Sequence, residues 1–218
     1  MQQRLIVEGS DAIALANIFM KKRLPPPKGY KNPTKFKNEF VKVAGSISKI
    51  QAVLEEELDT PDVQYIGIIV DADQKGAMAR LKSLLDFIQK KVGVSLPSAK
   101  LTENGFGYQF MDDLYIGIWV MPDNKNEGYL EHFIGSMIDD DDKTWQFVQE
   151  KVKELAAQNF CKFTEIKKQK ALVHTYLAWQ KTPGLPMGTA VSAGYFNIKN
   201  PLVEHFADWF KNTFILEK

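Results

Sequence analysis

Two carboxylates separated by a single residue, Asp71 and Asp73, close the apolar run Ile66-Gly67-Ile68-Ile69-Val70-Asp71-Ala72-Asp73. Acids this close repel and raise each other's pKa unless a cation lies between them. A hard divalent ion such as Mg²⁺, held by one or two carboxylates together with phosphate oxygens, relieves that repulsion. Further acids stand at comparable points of the chain. Glu8 closes Arg4-Leu5-Ile6-Val7-Glu8, and Asp123, Glu127 and Glu131 follow the hydrophobic run from Leu114 to Met121. An acid at a strand end commonly caps the helix that follows and favours its N-terminal dipole end. Three sets on one edge of one sheet point instead to a metal centre holding Glu8, Asp71 and Asp73, with Asp123, Glu127 and Glu131 nearby.

Bringing these acids together requires a sheet. Short β-branched runs bounded by turn formers read as strands buried on both faces of a parallel sheet. Arg4–Glu8 reads as the first strand, with Gly9-Ser10-Asp11 turning into a helix striped by Ile13, Leu15, Ala16, Phe19 and Met20. Phe40–Ala44 reads as the second, with Gly45-Ser46 leading to a helix carrying Ile47, Ile50, Val53, Leu54 and Leu58 inward. The Asp71/Asp73 strand is the third, followed by a helix from Gly76 to Val92 with Met78, Leu81, Leu84, Leu85 and Ile88 inward. Three successive strand–helix units imply parallel strands joined by right-handed crossovers. Ligands of such sheets bind beyond the strand carboxyl ends, where the acids fall. Phe106–Phe110 and Leu114–Met121 read as two more strands joined by Met111-Asp112-Asp113. Helices are expected over Tyr129–Ile138, Lys143–Gln158, Phe163–Gln180 and Pro201–Phe214, with a Pro/Gly-rich connection from Thr182 to Gly194.

The 218 residues are enough for a substantial core, either as one domain or as residues 1–125 with a helical extension, 126–218, packed on them. With 44% hydrophobic and 25% charged residues and a net charge of +1, global charge selects no partner. Local clustering is more informative. From Lys21 to Lys42 eight lysines and arginines face Glu39 alone, and Pro25-Pro26-Pro27, Gly29 and Pro33 keep the stretch irregular and exposed. Lys22, Arg23, Lys28, Lys31, Lys35 and Lys37 are candidate nucleic-acid contacts. Tyr30 and Phe36 either stack on bases or anchor the loop, and a solvated connector explains the same charges. The single Cys161 excludes an internal disulfide framework and fits a reducing compartment. Leu5-Ile6-Val7 is too short for a signal-peptide core, and no run is long enough to span a bilayer. A cytoplasmic protein is expected, with no membrane partner.

Other candidates have plainer readings. His132, His174 and His205 show no metal-ligand spacing, although His132 adjoins Glu131. Asp139–Asp142 caps the helix near Lys143, and a calcium loop would need spaced ligands and a glycine hinge. Trp145, Trp179 and Trp209, with Phe147, Phe206 and Phe210, pin the C-terminal helices to one another or to the sheet.

Glu8-Gly9, Gly45 and Asp71-Ala72-Asp73, in that order and at the ends of the first three strands, resemble the Toprim family. That catalytic domain is shared by topoisomerases, primases, small recombination-associated nucleases and overcoming-lysogenization-defect nucleases. The stretch Gly117–Asn124 leading to Leu130-Glu131 resembles a narrower group, stand-alone bacterial Toprim-related proteins of about this length. The general resemblance covers about the first 125 residues and rests on short motifs whose order and strand context carry the weight. In one departure, a single residue separates Gly9 from Asp11 where family members often have two.

The resemblance implies a three-layer, Rossmann-like α/β fold with a mainly parallel sheet and a helical C-terminal extension. It also implies Mg²⁺- or Mn²⁺-dependent chemistry on phosphodiester bonds of nucleic acid. Asp71 and Asp73 would hold the ion, and Glu8 would act as general acid/base or complete its shell. Asp123, Glu127 and Glu131 would recruit a second ion. Topoisomerases of the family take a nucleophilic tyrosine from a separate domain, which nothing here marks, so water is the implied nucleophile and hydrolysis the implied reaction. Haloacid-dehalogenase-type phosphatases place their DxD after the first core strand and before Gly-Thr, whereas Gln74-Lys75-Gly76 follows here. Receiver domains need paired acids at the first strand, and nucleotide-sugar transferases need a nucleotide pocket. The remaining alternative is a Toprim-like binding module without turnover, working as a sensor or as a subunit of a larger nucleic-acid-processing or defence complex; under either reading a protein partner or a homo-oligomer is open.

Overall fold

In the computed structural model, which describes residues 1–9, 12–96, 100–111 and 113–217, the apolar runs form five strands. These are β1 (Gln2–Val7), β2 (Val41–Val43), β3 (Val63–Asp71), β4 (Phe106–Met111) and β5 (Leu114–Met121), in the order β2-β1-β3-β5-β4. β2, β1, β3 and β5 are parallel and β4 runs antiparallel on the edge, so the fold is α/β with a mostly parallel sheet. Ser10 and Asp11 of the turn expected after β1, and Asp112 of the β4–β5 turn, lie outside the described residues.

Side chains alternate between the two sheet faces. Ile6, Ile66, Ile68, Ile116 and Ile118 meet α3 (Ile47–Leu58) and α4 (Ala77–Val92) in one core. Leu5, Val7, Ile69, Trp119 and Met121 face the other, larger core. That core is shared by α1 (Ala12–Lys21) and by the helices after residue 126: α5 (Leu130–Ser136), α6 (Lys143–Ala157), α7 (Lys168–Ala178), α8 (Met187–Ala193) and α9 (Pro201–Thr213). The C-terminal helices thus form, with α1, the layer covering this face. Phe19 stacks on Phe206 at 5.2 Å between centroids, and Trp119 meets Phe206 edge-on at 5.0 Å.

Two glycines set how closely α9 approaches. Gly67 and Gly117 are register partners on β3 and β5. A Cβ at Gly67 would collide with the Phe214 ring, and one at Gly117 with the Thr213 side chain. The end of α9 therefore rests directly on the sheet backbone.

Three expectations are corrected. The Lys21–Lys42 segment is not a plain exposed loop. It contains one helical turn, α2 (Pro33–Lys35), running into a π-helix over Phe36–Phe40, and Tyr30 and Phe40 are buried. It is also tied to the C-terminal segment, the Lys28 N–H donating to the Ile215 carbonyl at 2.8 Å and the Glu217 N–H to that of Pro26 at 2.9 Å. Met78 in the first turn of α4 is exposed, and Arg80 takes an inward position beside Ala77 and Leu81. The helix expected over Phe163–Gln180 begins with a 3₁₀ turn at Glu165–Lys167, and the Thr182–Gly194 connection contains α8. Phe147 of α6 and Trp179 at the end of α7 stay largely exposed and meet at 5.7 Å, joining these two helices to each other, as expected, and not to the sheet.

Candidate metal centre

The parallel register places the carboxyl ends of β1, β3 and β5 side by side, with neighbouring strands about 4.8 Å apart. Glu8 follows β1 directly and Asp71 ends β3. The Asp71 N–H donates to Glu8 Oε2 at 3.3 Å, and Asp71 Oδ1 accepts the Leu130 N–H at 3.2 Å. Gly45, held at φ +85° after β2, donates its N–H to the Glu8 carbonyl at 2.8 Å and closes the third side. Together with Val7, Ile69 and Met121 these groups line a cleft of about 190 Å³.

Electrostatics make this an unusually crowded anionic spot. Burial pushes the Asp71 carboxyl up to about 7, helped by the negative charges of Glu8, Asp73 and Glu131 and opposed by the Leu130 N–H. Burial also raises Glu8, with Asp73 adding to the rise, while the Asp71 N–H and Arg80 work the other way. Carboxyls held near neutrality by desolvation and like charge occur preferentially at functional sites.

Asp73 sits beside this pair in a different role. Its φ of +51° lies in the left-handed region. A two-way backbone bridge fixes it, its N–H donating to the Gly128 carbonyl at 2.8 Å and its carbonyl accepting the Gly128 N–H at 3.1 Å. Arg80 donates through Nη2 to Asp73 Oδ2 at 2.6 Å and through Nε to the Asp71 carbonyl at 2.9 Å. Sequence reading missed this residue. The available signal was an arginine falling on the stripe Ala77, Leu81, Leu84, Leu85 and Ile88 in the first turn of a helix, where the dipole disfavours a cation and only a nearby acid compensates.

The other acids separate. The Asp123 carboxylate is engaged by the N–H groups of Lys125 and Asn126, at 3.1 and 2.8 Å, in a local turn. Glu127 and Glu131 do not share a helix face, because α5 begins only at Leu130. Glu127 is exposed in the preceding turn, whereas Glu131 is buried and paired with Lys170 at 3.2 Å. Among the described residues no three His, Cys, Asp or Glu side chains stand in an arrangement that holds a metal ion. The donor set nevertheless suits a divalent cation at Glu8 and Asp71, where carboxyls accumulate around one buried arginine.

A second, larger cleft of about 550 Å³ adjoins the first, lined by Asp73, Lys75, Arg80, Glu127, Tyr129 and His132 among others. His132 Nδ1 accepts the Tyr129 N–H at 3.3 Å, and burial lowers the pKa of its ring.

The basic segment lies at the other end of the sheet. Gln3, at the amino end of β1, donates from Nε2 to the Lys28 carbonyl at 3.2 Å, and Arg4 Nη1 donates to the Tyr30 hydroxyl at 2.8 Å. Five residues of strand, about 16 Å, separate Gln3 from Glu8. Lys22 is paired with Glu204, and Lys35 lies 3.8 Å from Glu39. Lys28, Lys31, Lys35 and Lys37 therefore do not flank the acids, in contrast to the expectation that this loop neutralises phosphates at the metal centre.

No helix of the described residues is long and apolar enough to cross a membrane. No curated protein and no solved structure matches the chain. Residues 2–215 match the model of a family described as "Protein of unknown function (DUF3226)", and the chain belongs to that family.

Proposed function

We propose that the protein is a Toprim-like enzyme that hydrolyses phosphodiester bonds of nucleic acid with Mg²⁺ or Mn²⁺ bound at Glu8 and Asp71, working in the cytoplasm. The observation that carries this reading is the pairing of Glu8 with Asp71 at the ends of adjacent parallel strands, with the Asp71 carboxyl pushed up to about 7 by burial and neighbouring acids. Asp71 also accepts from the first residue of α5, but that bond leaves its carboxyl raised, and a bound cation would relieve the remaining repulsion. When bound, a divalent ion supplies polarisation of a phosphoryl oxygen and a more acidic water. Asp71 would serve as an ionic ligand, and Glu8, whose pKa is also raised, would take or give a proton. Arg80 holds the Asp71 carbonyl and the Asp73 carboxylate and so fixes the turn that carries both aspartates. Glu127 and Glu131 stay outside this set, and Asp123 is a turn residue.

Cleavage of single- and double-stranded DNA and RNA in Mg²⁺ and Mn²⁺ tests the reading, with wild type compared with Glu8→Gln and Asp71→Asn. Loss of a positioned acid/base costs about 10²- to 10⁴-fold in rate, so both variants should fall to background. Equal cleavage by wild type and variants would refute the assignment.

A second reading, a Toprim-like binding module without turnover acting as a subunit of a larger complex, is favoured by one observation: the Asp73 carboxylate is occupied by Arg80 at 2.6 Å rather than aimed at Asp71. Divalent-ion binding by the wild type without any cleavage of the four substrates would select this reading.

A further inference from the structure

The basic segment, which contributes nothing to the acid cleft, encloses an apolar cavity of about 260 Å³ between α1, the Leu24–Pro27 turn, the π-helix and α9. Phe19, Leu24, Tyr30, Phe36 and Phe210 and the three prolines form most of its wall, and the exposed Lys31 is its one charged lining residue. We propose that this cavity binds a small anionic amphiphile, an apolar chain or ring ending in a carboxylate, with the tail among the aromatic side chains and the carboxylate at Lys31.

Three observations support this. The wall offers a tail no polar competitor, because the buried Tyr30 hydroxyl already accepts from Arg4 Nη1 at 2.8 Å and the Gln3 N–H at 3.4 Å. Cations outnumber acids around the cavity: among the described residues the lining Lys31, and Arg23, Lys28 and Lys37, which adjoin lining residues in the chain, have no ion-pair partner, against the carboxylate of Glu217 held by the Gly29 N–H at 2.9 Å, while Lys22 and Lys35 are matched by Glu204 and Glu39. Charge complementarity therefore selects an anion over a cation or a neutral molecule. Finally, the wall is partly built from a π-helix, a rare element frequent at functional sites, and this one places Phe36 on the cavity while burying Phe40. The volume is just under the lower bound of about 300 Å³ for typical ligand sites, which suits a ligand of eight or so carbons rather than a long lipid. The site is at the opposite end of the sheet from Glu8, so it stands or falls independently of the proposed hydrolysis.

Calorimetric titration of the full chain at low salt with octanoate, octanol and octylammonium tests the assignment. Octanoate should bind at one site, octanol more weakly and octylammonium not measurably. Lys31→Glu should weaken octanoate at least about threefold, the scale of one exposed ion pair, and leave octanol unchanged. Ala16→Leu, which extends into the cavity from α1, should remove octanoate binding with the circular dichroism spectrum retained. Absence of saturable octanoate binding, equal affinity for octylammonium, or an unchanged affinity in Lys31→Glu would each overturn the proposal. Lys31 is exposed, so its variant decides the question even if Ala16→Leu fails to fold.

Discussion

Replacing Asp71 by Asn should make the protein more stable at pH 8 and remove much of its pH dependence. The folded carboxyl, raised by burial and by Glu8, Asp73 and Glu131, titrates at about 7 instead of 3.8. Between these values the folded chain holds a proton that the unfolded chain has released. Stability from this group is therefore complete below the unfolded value and is lost as pH rises through the folded one, with a slope approaching about 1.4 kcal/mol per pH unit. Three units of window give a limit of about 4 kcal/mol. Glu8 is raised in the same way and titrates together with Asp71, so the limit belongs to the pair. Relaxation and water entry bring the expected difference to about 1–3 kcal/mol at pH 8. Asn retains an oxygen for the Leu130 N–H, so the variant loses charge without losing that bond. Urea unfolding of both proteins in chelator at pH 5, 6, 7 and 8 measures the effect. The gap between them should widen in favour of Asp71→Asn as pH rises, and Mg²⁺ at pH 8 should stabilise the wild type alone. Curves that stay parallel from pH 5 to 8 would refute the electrostatic account of the cleft.

Three further outcomes follow from the packing. Gly67→Ala and Gly117→Ala push a methyl into Phe214 or Thr213 and should each cost about 1–3 kcal/mol in urea unfolding; an unchanged midpoint would mean that α9 can lift off the sheet freely. Glu57 is buried between Arg4 at 2.8 Å and Lys42 at 3.2 Å, so Glu57→Gln strands a buried guanidinium and should cost about 3–5 kcal/mol by the same assay. The double variant Lys35→Glu, Lys37→Glu should leave Mn²⁺ affinity at the acid cleft unchanged at 0.15 M salt, because about 16 Å of strand exceeds the screening length of about 8 Å; a changed affinity would place this segment at the site after all.

The parts of the fold legible in the sequence were those whose local pattern and tertiary environment agree. Ile66–Val70 and Ile116–Val120 are β-branched runs that can only be buried, and each ends where a turn former or an acid meets water. That Glu8 and Asp71 end parallel strands could be read from the consecutive strand–helix units, but not that those strands are neighbours: unit order equally allows β2 between them, and only the fold, in the order β2-β1-β3, sets β1 beside β3. What was not legible depends on distant contacts. α8 is a short helix containing Gly188 and Thr189, poor helix formers, and it is held by α1, with Asn17 donating to the Gly188 carbonyl at 2.5 Å. The π-helix is stabilised by Phe40 packing on Phe214 at 5.0 Å, from the far end of the chain. Glu131 appeared to belong with Glu127 by spacing alone, but the helix start at Leu130 separates them and Lys170 from α7 takes Glu131. Asp123 was recoverable in principle, since a short acid two and three residues ahead of backbone donors competes for them locally.

The central claim is that Glu8 and Asp71 form a cation site. Calorimetric titration with Mn²⁺ at pH 6.5, in two buffers of different protonation enthalpy, tests it most directly. The wild type should bind Mn²⁺ and release about 0.5–1 proton per ion, because a carboxyl that titrates at about 7 must ionise to become a ligand, and Asp71→Asn should neither bind comparably nor release the proton. No Mn²⁺ binding by the wild type, or equal binding and proton release in the variant, would contradict the account.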